Sequence, residues 1–207
     1  NINKAIYYLT LAADKNDSSA QYFLGHIYLS NKHSTYDIKK SIHYLTLAAN
    51  QNDSNAQYTL GFIYLTNIHI TCDINKSIHY FTLAANQNFS EAQYILGCFY
   101  STNKFFPCNM NKAIQYFLLA SRQNNSSALN EMGLLYLEGI HLPINIEKSI
   151  YYFTLSANNG NYMANYYLGY IYCKGIDVNR DIDKAIHYYK KCSSFNHEYS
   201  KNNLGIL

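Results

Sequence analysis

The 207-residue sequence is poor in charge and contains no long apolar run. Charged side chains make up 14% of it, the formal net charge is +3, and neither sign forms a block. Proteins that bind nucleic acid or anionic membranes through their charge carry a basic patch, so neither partner is expected. No run approaches the roughly 18 apolar residues of a membrane span, so membrane insertion is not expected either.

The two ends of the sequence carry no targeting pattern. The first residues, NINKAIYYLT, do not form a signal peptide. The chain begins without methionine and ends inside a repeat, at NNLGIL. We therefore expect a segment of a longer protein, in which targeting signals can lie outside these residues.

The cysteine pattern argues against disulfides. The five cysteines are Cys72, Cys98, Cys108, Cys173 and Cys192. Only Cys72 and Cys108 share a position in the repeat described below, where packed helices lie about 8 to 10 Å apart. A disulfide requires Cα atoms within about 7 Å of each other. The odd number of cysteines therefore favours a reducing compartment such as the cytoplasm.

Motifs of catalysis and metal binding are also missing. The sequence contains no Gly-rich phosphate loop, no nucleophile elbow and no zinc-type cysteine pair. His43, His79 and His187 share one position of the repeat. Equivalent positions of neighbouring copies are roughly 10 Å apart, too far to converge on one metal ion with ligand distances near 2 Å. We therefore expect no enzyme activity, no metal, no cofactor and no small-molecule substrate.

The sequence does contain a 36-residue repeat. LAANQNDSNAQYTLG, from Leu47 to Gly61, returns almost unchanged as LAANQNFSEAQYILG 36 positions later. One column of this repeat is Gly25, Gly61, Gly97, Gly133, Gly169 and Gly205. Another is Tyr8, Tyr44, Tyr80, Tyr116, Tyr152 and Tyr188. Self-similarity at a fixed period of this length is typical of solenoid proteins.

Each copy contains two helical patterns. The apolar residues of the first pattern lie on one helix face and are Ala20, Leu24, Ile27 and Tyr28. Those of the second pattern are Ser41, Ile42, Leu45, Ala48 and Ala49. The repeat unit is therefore predicted to be a hairpin of a first and a second helix, and the fold is predicted to be all-α.

Polar residues mark the predicted helix ends. A short side chain that can accept amide hydrogens precedes the second helix, at Asp37, Asp73, Asn109, Asn145 and Asp181. The first helix is predicted to be capped by Ser18, Ser54, Ser90 and Ser126. A left-handed residue is predicted between hairpins, at Asn16, Asn52, Asn88, Asn124, Gly160 and Asn196. This Asn and Ser spacing creates N-x-Ser sequons, which we interpret as structural rather than as glycan sites.

Two further columns require an explanation in terms of packing. Glycine inside a helix costs about 1 kcal/mol relative to alanine. The Gly25 column therefore predicts the close approach of a neighbouring helix, through the Tyr8 column or the Ala48 and Ala49 seam. A lysine column is Lys4, Lys40, Lys76, Lys112, Lys148 and Lys184. We interpret it as stems packed on aromatic rings, with ammonium groups near the capping Asp or a neighbouring carbonyl. The alternative is a cationic ladder for phosphates.

One copy shows a pattern known from other helical repeats. The residues that carry it are Ala56, Leu60, Gly61, Tyr64, Asp73, Lys76, Ser77, Tyr80, Ala84 and Ala85. In this order they resemble the Sel-1-like repeat (SLR), a relative of the tetratricopeptide repeat, and the resemblance covers essentially the whole chain. It implies a right-handed superhelix that serves as a protein-interaction scaffold, with adaptor roles in membrane-protein quality control, signalling and secretion.

The predicted organisation is one solenoid over residues 1–207. It would contain the second helix of a partial repeat, five full hairpins and a truncated first helix. These segments are 1–17, then 18–53, 54–89, 90–125, 126–161 and 162–197, and finally 198–207.

Information about a partner is expected where the copies disagree. One stripe on the first helices varies freely from copy to copy, and the resemblance places first helices along a concave groove. Apolar residues exposed in a groove indicate a binding surface. The residues of this variable stripe are Phe23, His26, Thr59, Phe62, Ile95, Cys98, Glu131, Leu134, Tyr167 and Tyr170.

The sequence thus predicts a non-enzymatic scaffold that binds another protein or peptide in the concave groove. Two alternatives stay open. One is a non-catalytic repeat region attached to an enzyme domain such as a protein kinase. The other is a helical-repeat groove for single-stranded RNA, against which the Leu-Gly and Ala-Ala columns and the low net charge argue.

Overall fold

The computed structural model describes residues 2–30, 36–66, 70–104, 107–193 and 198–206. Within these ranges all regular structure is helical, with twelve helices and no strand. The helices are α1 Ile2–Ala13, α2 Ser18–Leu29, α3 Ile38–Asn50, α4 Ser54–Leu65, α5 Ile74–Asn86, α6 Ser90–Ser101, α7 Met110–Ser121, α8 Ser126–Glu138, α9 Ile146–Asn158, α10 Tyr162–Lys174, α11 Ile182–Ser193 and α12 Glu198–Ile206. None of these twelve combines the length and the apolar character that crossing a membrane requires.

Residues 1–96 and 97–207 form two compact units. In the first unit, α2 packs along α3 and α4 along α5, and contacts of α1 with α2 and of α3 with α4 join successive pairs. In the second unit, α8 packs along α9 and α10 along α11, and α9 contacts α10 in the same way. Each pair spans one 36-residue period, so the prediction of an all-α fold built from helical hairpins is confirmed.

The helices of each unit pack through small and branched side chains. In the first unit, Ala48 and Ala49 of α3 are buried against Ala56 and Leu60 of α4. Methyl side chains at a helix contact allow the two axes to approach closely. The small-residue seam of the second helix therefore contacts the first helix of the following hairpin.

Five of the six repeated glycines, all except Gly205, lie where a neighbouring helix comes close, as predicted, but the contacting residue differs from the prediction. A Cβ atom on Gly61 would lie 2.8 Å from the ring of Phe81, and one on Gly133 would lie 2.7 Å from the ring of Phe153. These side chains follow the Tyr8 column by one residue. The prediction that the Tyr8 column or the alanine seam covers the glycines is therefore wrong, because the second helix turns its next position toward the bare backbone.

The first helices are capped one residue earlier than predicted. The Asp17 side chain accepts a hydrogen bond from the backbone N–H of Ala20 at 2.7 Å, and Asp53 accepts one from Ala56 at 2.8 Å. The serines assigned as caps, Ser18, Ser54, Ser90 and Ser126, are each the first residue of a helix. At Ser18, Ser54 and Ser126 that prediction is wrong because the preceding Asp17, Asp53 or Asn125 also has a capping side chain and is the residue with extended backbone. Ser90 follows Phe89, which has no capping side chain, and its own hydroxyl donates to Glu91 Oε2 at 3.0 Å.

The hinge between hairpins follows one hydrogen-bonding pattern. Asn52 has a φ of 62°, its N–H donates to the carbonyl of Ala49, and the N–H of Asp53 donates to the carbonyl of Ala48. This pair of bonds is the Schellman motif that ends many helices. The left-handed backbone is confirmed at Asn16, Asn52, Asn88, Asn124 and Gly160. Asn196 lies outside the described residues.

The second helices begin as predicted. The backbone N–H of Lys76 donates to Asp73 Oδ1 at 3.0 Å. The N–H of Asp73 itself donates to the carbonyl of Tyr64 at 2.9 Å, which ties the start of α5 to the end of α4. The other capping residues accept the equivalent bond, namely Asp37, Asn109, Asn145 and Asp181.

Candidate interaction surface

Each hairpin from α2 to α11 carries a stack of one ammonium group and two tyrosine rings. Lys76 Nζ lies 5.1 Å from the ring centroid of Tyr64. Tyr64 in turn stacks on Tyr80, with centroids 5.8 Å apart and ring planes at 5°. The equivalent lysine contacts, at 5.0 to 5.2 Å, are Lys40 on Tyr28, Lys112 on Tyr100, Lys148 on Tyr136 and Lys184 on Tyr172.

Where the capping residue is an aspartate, the lysine also faces its carboxylate. Lys76 Nζ lies 3.4 Å from Asp73 Oδ2, and Lys184 Nζ lies 3.3 Å from Asp181 Oδ2. The hydrogen bond from the Lys76 backbone N–H lowers the pKa of Asp73, and the ammonium group acts in the same direction. The interpretation of this column as stems on aromatic rings near the caps is confirmed, and these contacts disfavour a free cationic ladder for phosphates.

In the first unit, the variable stripe begins with two exposed side chains. Phe23 is 53% exposed, with its ring tilted against Tyr22. His26 is exposed as well, and its ring meets the edge of Tyr22 with centroids 4.6 Å apart. The rings of Phe23 and His26 therefore both pack against Tyr22. Partial burial lowers the pKa of His26. An aromatic ring and a neutral imidazole are therefore presented to solvent on α2.

A hydrogen bond joins the stripe of α2 to that of α4. His26 Nε2 lies 3.3 Å from Thr59 Oγ1. The Thr59 hydroxyl lies 2.8 Å from the carbonyl of Asn55 and donates its hydrogen there. The hydrogen shared with His26 therefore comes from the imidazole, which places the proton of the neutral ring on Nε2. This bond fixes the His26 ring and leaves Nδ1 as an acceptor.

Phe62 is only half exposed. Its ring centroid lies 5.0 Å from that of Tyr58 and 5.3 Å from that of Phe81, edge-on in both cases. Phe81 is fully buried against Gly61, so Phe62 covers a core residue with one edge. Ile95 is half-buried as well. In this unit the stripe contains both surface residues and residues that close the core.

In the second unit, Tyr167 stacks on a core ring. Its centroid lies 5.0 Å from that of Phe153, with ring planes at 14°. Asn130 stands where other copies have Tyr22, Tyr58, Tyr94 and Tyr166. Tyr58 contacts Phe81 and Tyr166 contacts Tyr189, which are the rings equivalent to Phe153 in their copies. Asn130 leaves that ring face open to Tyr167. An asparagine in a tyrosine column was the sequence signal for this packing, and sequence reasoning missed it.

The remaining stripe residues of the second unit differ in exposure. Glu131 is half-buried, and this burial raises its pKa, with a smaller contribution from Glu138. Leu134 packs against the core of α9 and α10, and Cys98 is half-buried. Tyr170 is 36% exposed on α10. None of the ten stripe residues is fully buried.

Metal-binding side chains do not cluster in the described part of the chain. Across the described ranges there is no group of three or more His, Cys, Asp or Glu residues that could hold a metal ion. The described cysteines are all free thiols. The chemistry that the stripe offers is therefore aromatic, aliphatic and hydrogen-bonding contact.

The repeat pattern matches a family model over most of the chain. The Sel1 repeat model matches six times, at 1–17, 18–53, 54–89, 90–125, 126–161 and 163–192. The chain belongs to the Sel1 repeat family. Proteins of this family are generally non-catalytic scaffolds for protein–protein interactions. The resemblance noted from Gly61, Tyr64 and Lys76 is thereby confirmed.

Solved structures of Sel1 repeat proteins have the same fold. A protective antigen of uropathogenic Escherichia coli strains, which displays an SLR fold, superposes with a TM-score of 0.91 at 25% identity over 96% of this chain. The chain spans only 43% of that antigen. A Sel1 repeat protein from Oxalobacter formigenes gives a TM-score of 0.83 at 27% identity, over 92% of this chain and 78% of its own.

A more distant structure shows the fold alone. An immunity protein from Pseudomonas aeruginosa superposes with a TM-score of 0.57 at 18% identity, over 88% of this chain and 66% of its own length. No protein of curated function matches the sequence.

Proposed function

We propose that this Sel1 repeat chain binds a segment of another protein along the variable stripe of its first helices. In this proposal residues 1–207 act as one solenoid, and the stripe lies in the concave groove of its superhelix. The partner is a protein or peptide rather than a nucleic acid, a membrane or a small-molecule substrate. The chain itself performs no catalysis.

The observation that carries the proposal is the exposure of large rings at positions where the copies differ. Phe23 is 53% exposed and Tyr170 is 36% exposed, although both lie on helices whose opposite faces are buried. Exposed aromatic side chains on a rigid scaffold supply contact area with little loss of side-chain freedom, and such residues dominate binding energy at interfaces. Packing requirements alone would favour polar residues at these positions.

The test compares stripe and non-stripe aromatics in a pull-down with quantitative mass spectrometry. The stripe variant is Phe23→Ala with Tyr170→Ala, which removes the two most exposed Phe and Tyr rings of the stripe. The control is Tyr151→Ala, because Tyr151 is 59% exposed but lies on the second helix α9. A partner retained by the wild type and the control but lost from the stripe variant supports the proposal. A partner retained equally by all three contradicts it.

Phe62 and Tyr167 are unsuitable for this test because their rings cover core residues. Truncation of either ring would change stability and binding together. Circular dichroism of the stripe variant should show unchanged helicity and a melting temperature close to that of the wild type. If the stripe variant unfolds, Phe23 and Tyr170 belong to the core and the assignment fails.

A further inference from the structure

The second unit contains a cavity of about 340 Å³ bordered by α9, α10 and α11. Its floor includes Ala157 of α9 and Leu168 of α10. Its polar lining comprises Thr154, Asn158, Asn165 and Lys191, and Tyr188 closes one side. Two of these polar residues, Asn165 and Lys191, differ from the residues at the same position in other copies, and both line this cavity.

The first departure is Asn165, which stands in a glutamine column. In the first unit, Gln57 Nε2 donates to the carbonyl of Ala49 at 3.1 Å, and its Oε1 accepts from Gln87 at 2.8 Å. Gln21 and Gln93 bond in the same way to the equivalent alanine carbonyls, at 3.3 Å and 3.1 Å. In these copies the amide is buried and hydrogen-bonded.

Asn165 cannot form the equivalent bonds. Its side chain is shorter than glutamine by one carbon–carbon bond, about 1.5 Å, and Ala157 is the residue equivalent to Ala49. Asn165 is only 8% exposed, yet among the described residues none hydrogen-bonds with its side chain. Its amide atoms are not fully enclosed, so the amide opens onto the cavity. This amide borders the cavity, where a ligand could satisfy it.

The second departure is Lys191, which stands in a leucine column. The other copies have Leu11, Leu47, Leu83, Leu119 and Leu155 at this position. Lys191 Nζ lies 6.0 Å from the ring centroid of Tyr188, which itself stacks on Tyr172 at 5.9 Å. The stacked rings thus support an ammonium group beside the cavity. It is the one charged group among the described lining residues.

We propose that this cavity binds a carboxylate group. Lys191 supplies one positive charge, and the amides of Asn158 and Asn165 supply N–H donors, a set that matches one carboxylate rather than a doubly charged phosphate. Ala157 and Leu168 provide apolar contact for the adjoining carbons. The carboxylate can come from an acidic side chain or from a chain terminus. The inference does not depend on the variable stripe and adds a second site on this scaffold.

The experiment titrates the chain with three probes and follows side-chain amide signals by ¹H–¹⁵N NMR. N-acetylglutamate α-amide carries only a side-chain carboxylate, N-acetylalanine carries only a terminal one, and N-acetylalanine amide carries none. Saturable shifts of the Asn165 amide with at least one carboxylate, and none with the amide probe, are expected. The carboxylate that binds more tightly identifies the source.

Two substitutions restore the residues of other copies and should leave the fold intact. Lys191→Leu and Asn165→Gln should each weaken carboxylate binding at least tenfold, the second because the glutamine amide reaches the Ala157 carbonyl and is no longer available to a ligand. Lys190→Leu, a neighbouring lysine outside the cavity, should bind like the wild type. Equal shifts with the amide probe, tighter binding of inorganic phosphate, no response to any probe, or unchanged affinity in both variants would overturn the proposal.

Discussion

The ammonium nitrogen of Lys76 lies 5.1 Å from the ring centroid of Tyr64. This contact and two hydrogen bonds form a closed loop of interactions among Tyr64, Asp73 and Lys76. Tyr64 accepts a hydrogen bond at its carbonyl from the N–H of Asp73, whose side chain accepts from the N–H of Lys76. The end of one helix and the start of the next are therefore joined through both backbone and side chains.

We expect a measurable coupling free energy between Lys76 and Tyr64. A cation over an aromatic face contributes about 0.5 to 1 kcal/mol at exposed sites. A double-mutant cycle with Lys76→Met and Tyr64→Leu, measured by urea denaturation, should show coupling of that size, because the cycle cancels the effect of each substitution elsewhere. A matched cycle with Lys39→Met, a lysine outside the column, should show none. Coupling absent from both cycles would make the stack incidental.

Replacement of glycine by alanine should have opposite effects on the free energy of unfolding at two positions of the glycine column, Gly61 and Gly205. At Gly61, an added Cβ would lie 2.8 Å from the buried Phe81 ring, and overpacking of a core costs about 1 to 3 kcal/mol. Gly61→Ala should therefore lower the free energy of unfolding despite the better helix propensity of alanine. At Gly205 no atom of the described residues, apart from the backbone of its own helix, lies within 4 Å of the added Cβ.

Gly205→Ala should be neutral or stabilising by up to about 1 kcal/mol, the propensity difference alone. Urea denaturation followed by circular dichroism compares the two variants. The same sign of effect at both positions would show that helix propensity, and not the Phe81 contact, explains the column.

The left-handed backbone at Asn52 predicts that the stability of the protein depends on which residue occupies this position. Its φ of 62° is readily adopted by glycine and costs a β-branched residue about 1 to 2 kcal/mol. Asn52→Gly should leave the free energy of unfolding unchanged or slightly higher, whereas Asn52→Val should lower it. Chemical denaturation of both variants measures this difference. Equal destabilisation by glycine and valine would point to a side-chain role for Asn52.

Glu131 predicts a pH-dependent change in stability. Burial raises its folded pKa, so the charged form is disfavoured in the folded state. Its stability contribution is most favourable below the unfolded pKa and is lost as pH rises through the folded pKa. Glu131→Gln should raise the melting temperature at pH 7, and the gain should vanish below about pH 4.

The control for Glu131 is Glu147→Gln. Glu147 is exposed in the first turn of α9, where a negative charge is favourable to the helix. This substitution should not raise the melting temperature at pH 7. A gain of equal size from both substitutions, or a gain from Glu131→Gln that persists at low pH, would contradict desolvation as the cause.

The hairpins were predictable because the same residue types recur at the same positions in six copies of the repeat. Columns such as Lys76 and Tyr64 recur at fixed spacing, so their helical positions and their contact could be inferred without coordinates. The glycine partner was not predictable in this way. Phe81 and Tyr80 are neighbours in sequence, and only the rotation of α5 about its axis decides which of them faces Gly61.

The variable stripe was less predictable because variation between copies has two causes. At Phe23 the variable position is exposed, as expected of a surface free to diverge. At Tyr167 the variation accompanies a substitution in the preceding copy, because Asn130 leaves the face of Phe153 uncovered and the Tyr167 ring stacks on it. A sequence column records both kinds of change identically, and three-dimensional contacts are needed to separate them.

Asp53 forms hydrogen bonds with two successive helices. Its N–H bonds to the Ala48 carbonyl at the end of α3, and its side chain accepts from the Ala56 N–H at the start of α4. Fraying of either end removes support from the other, so neither helix can open at this joint alone. Under mechanical load the end of α3 and the start of α4 should therefore open together, and a protease that depends on local opening should find few cleavage points at this joint.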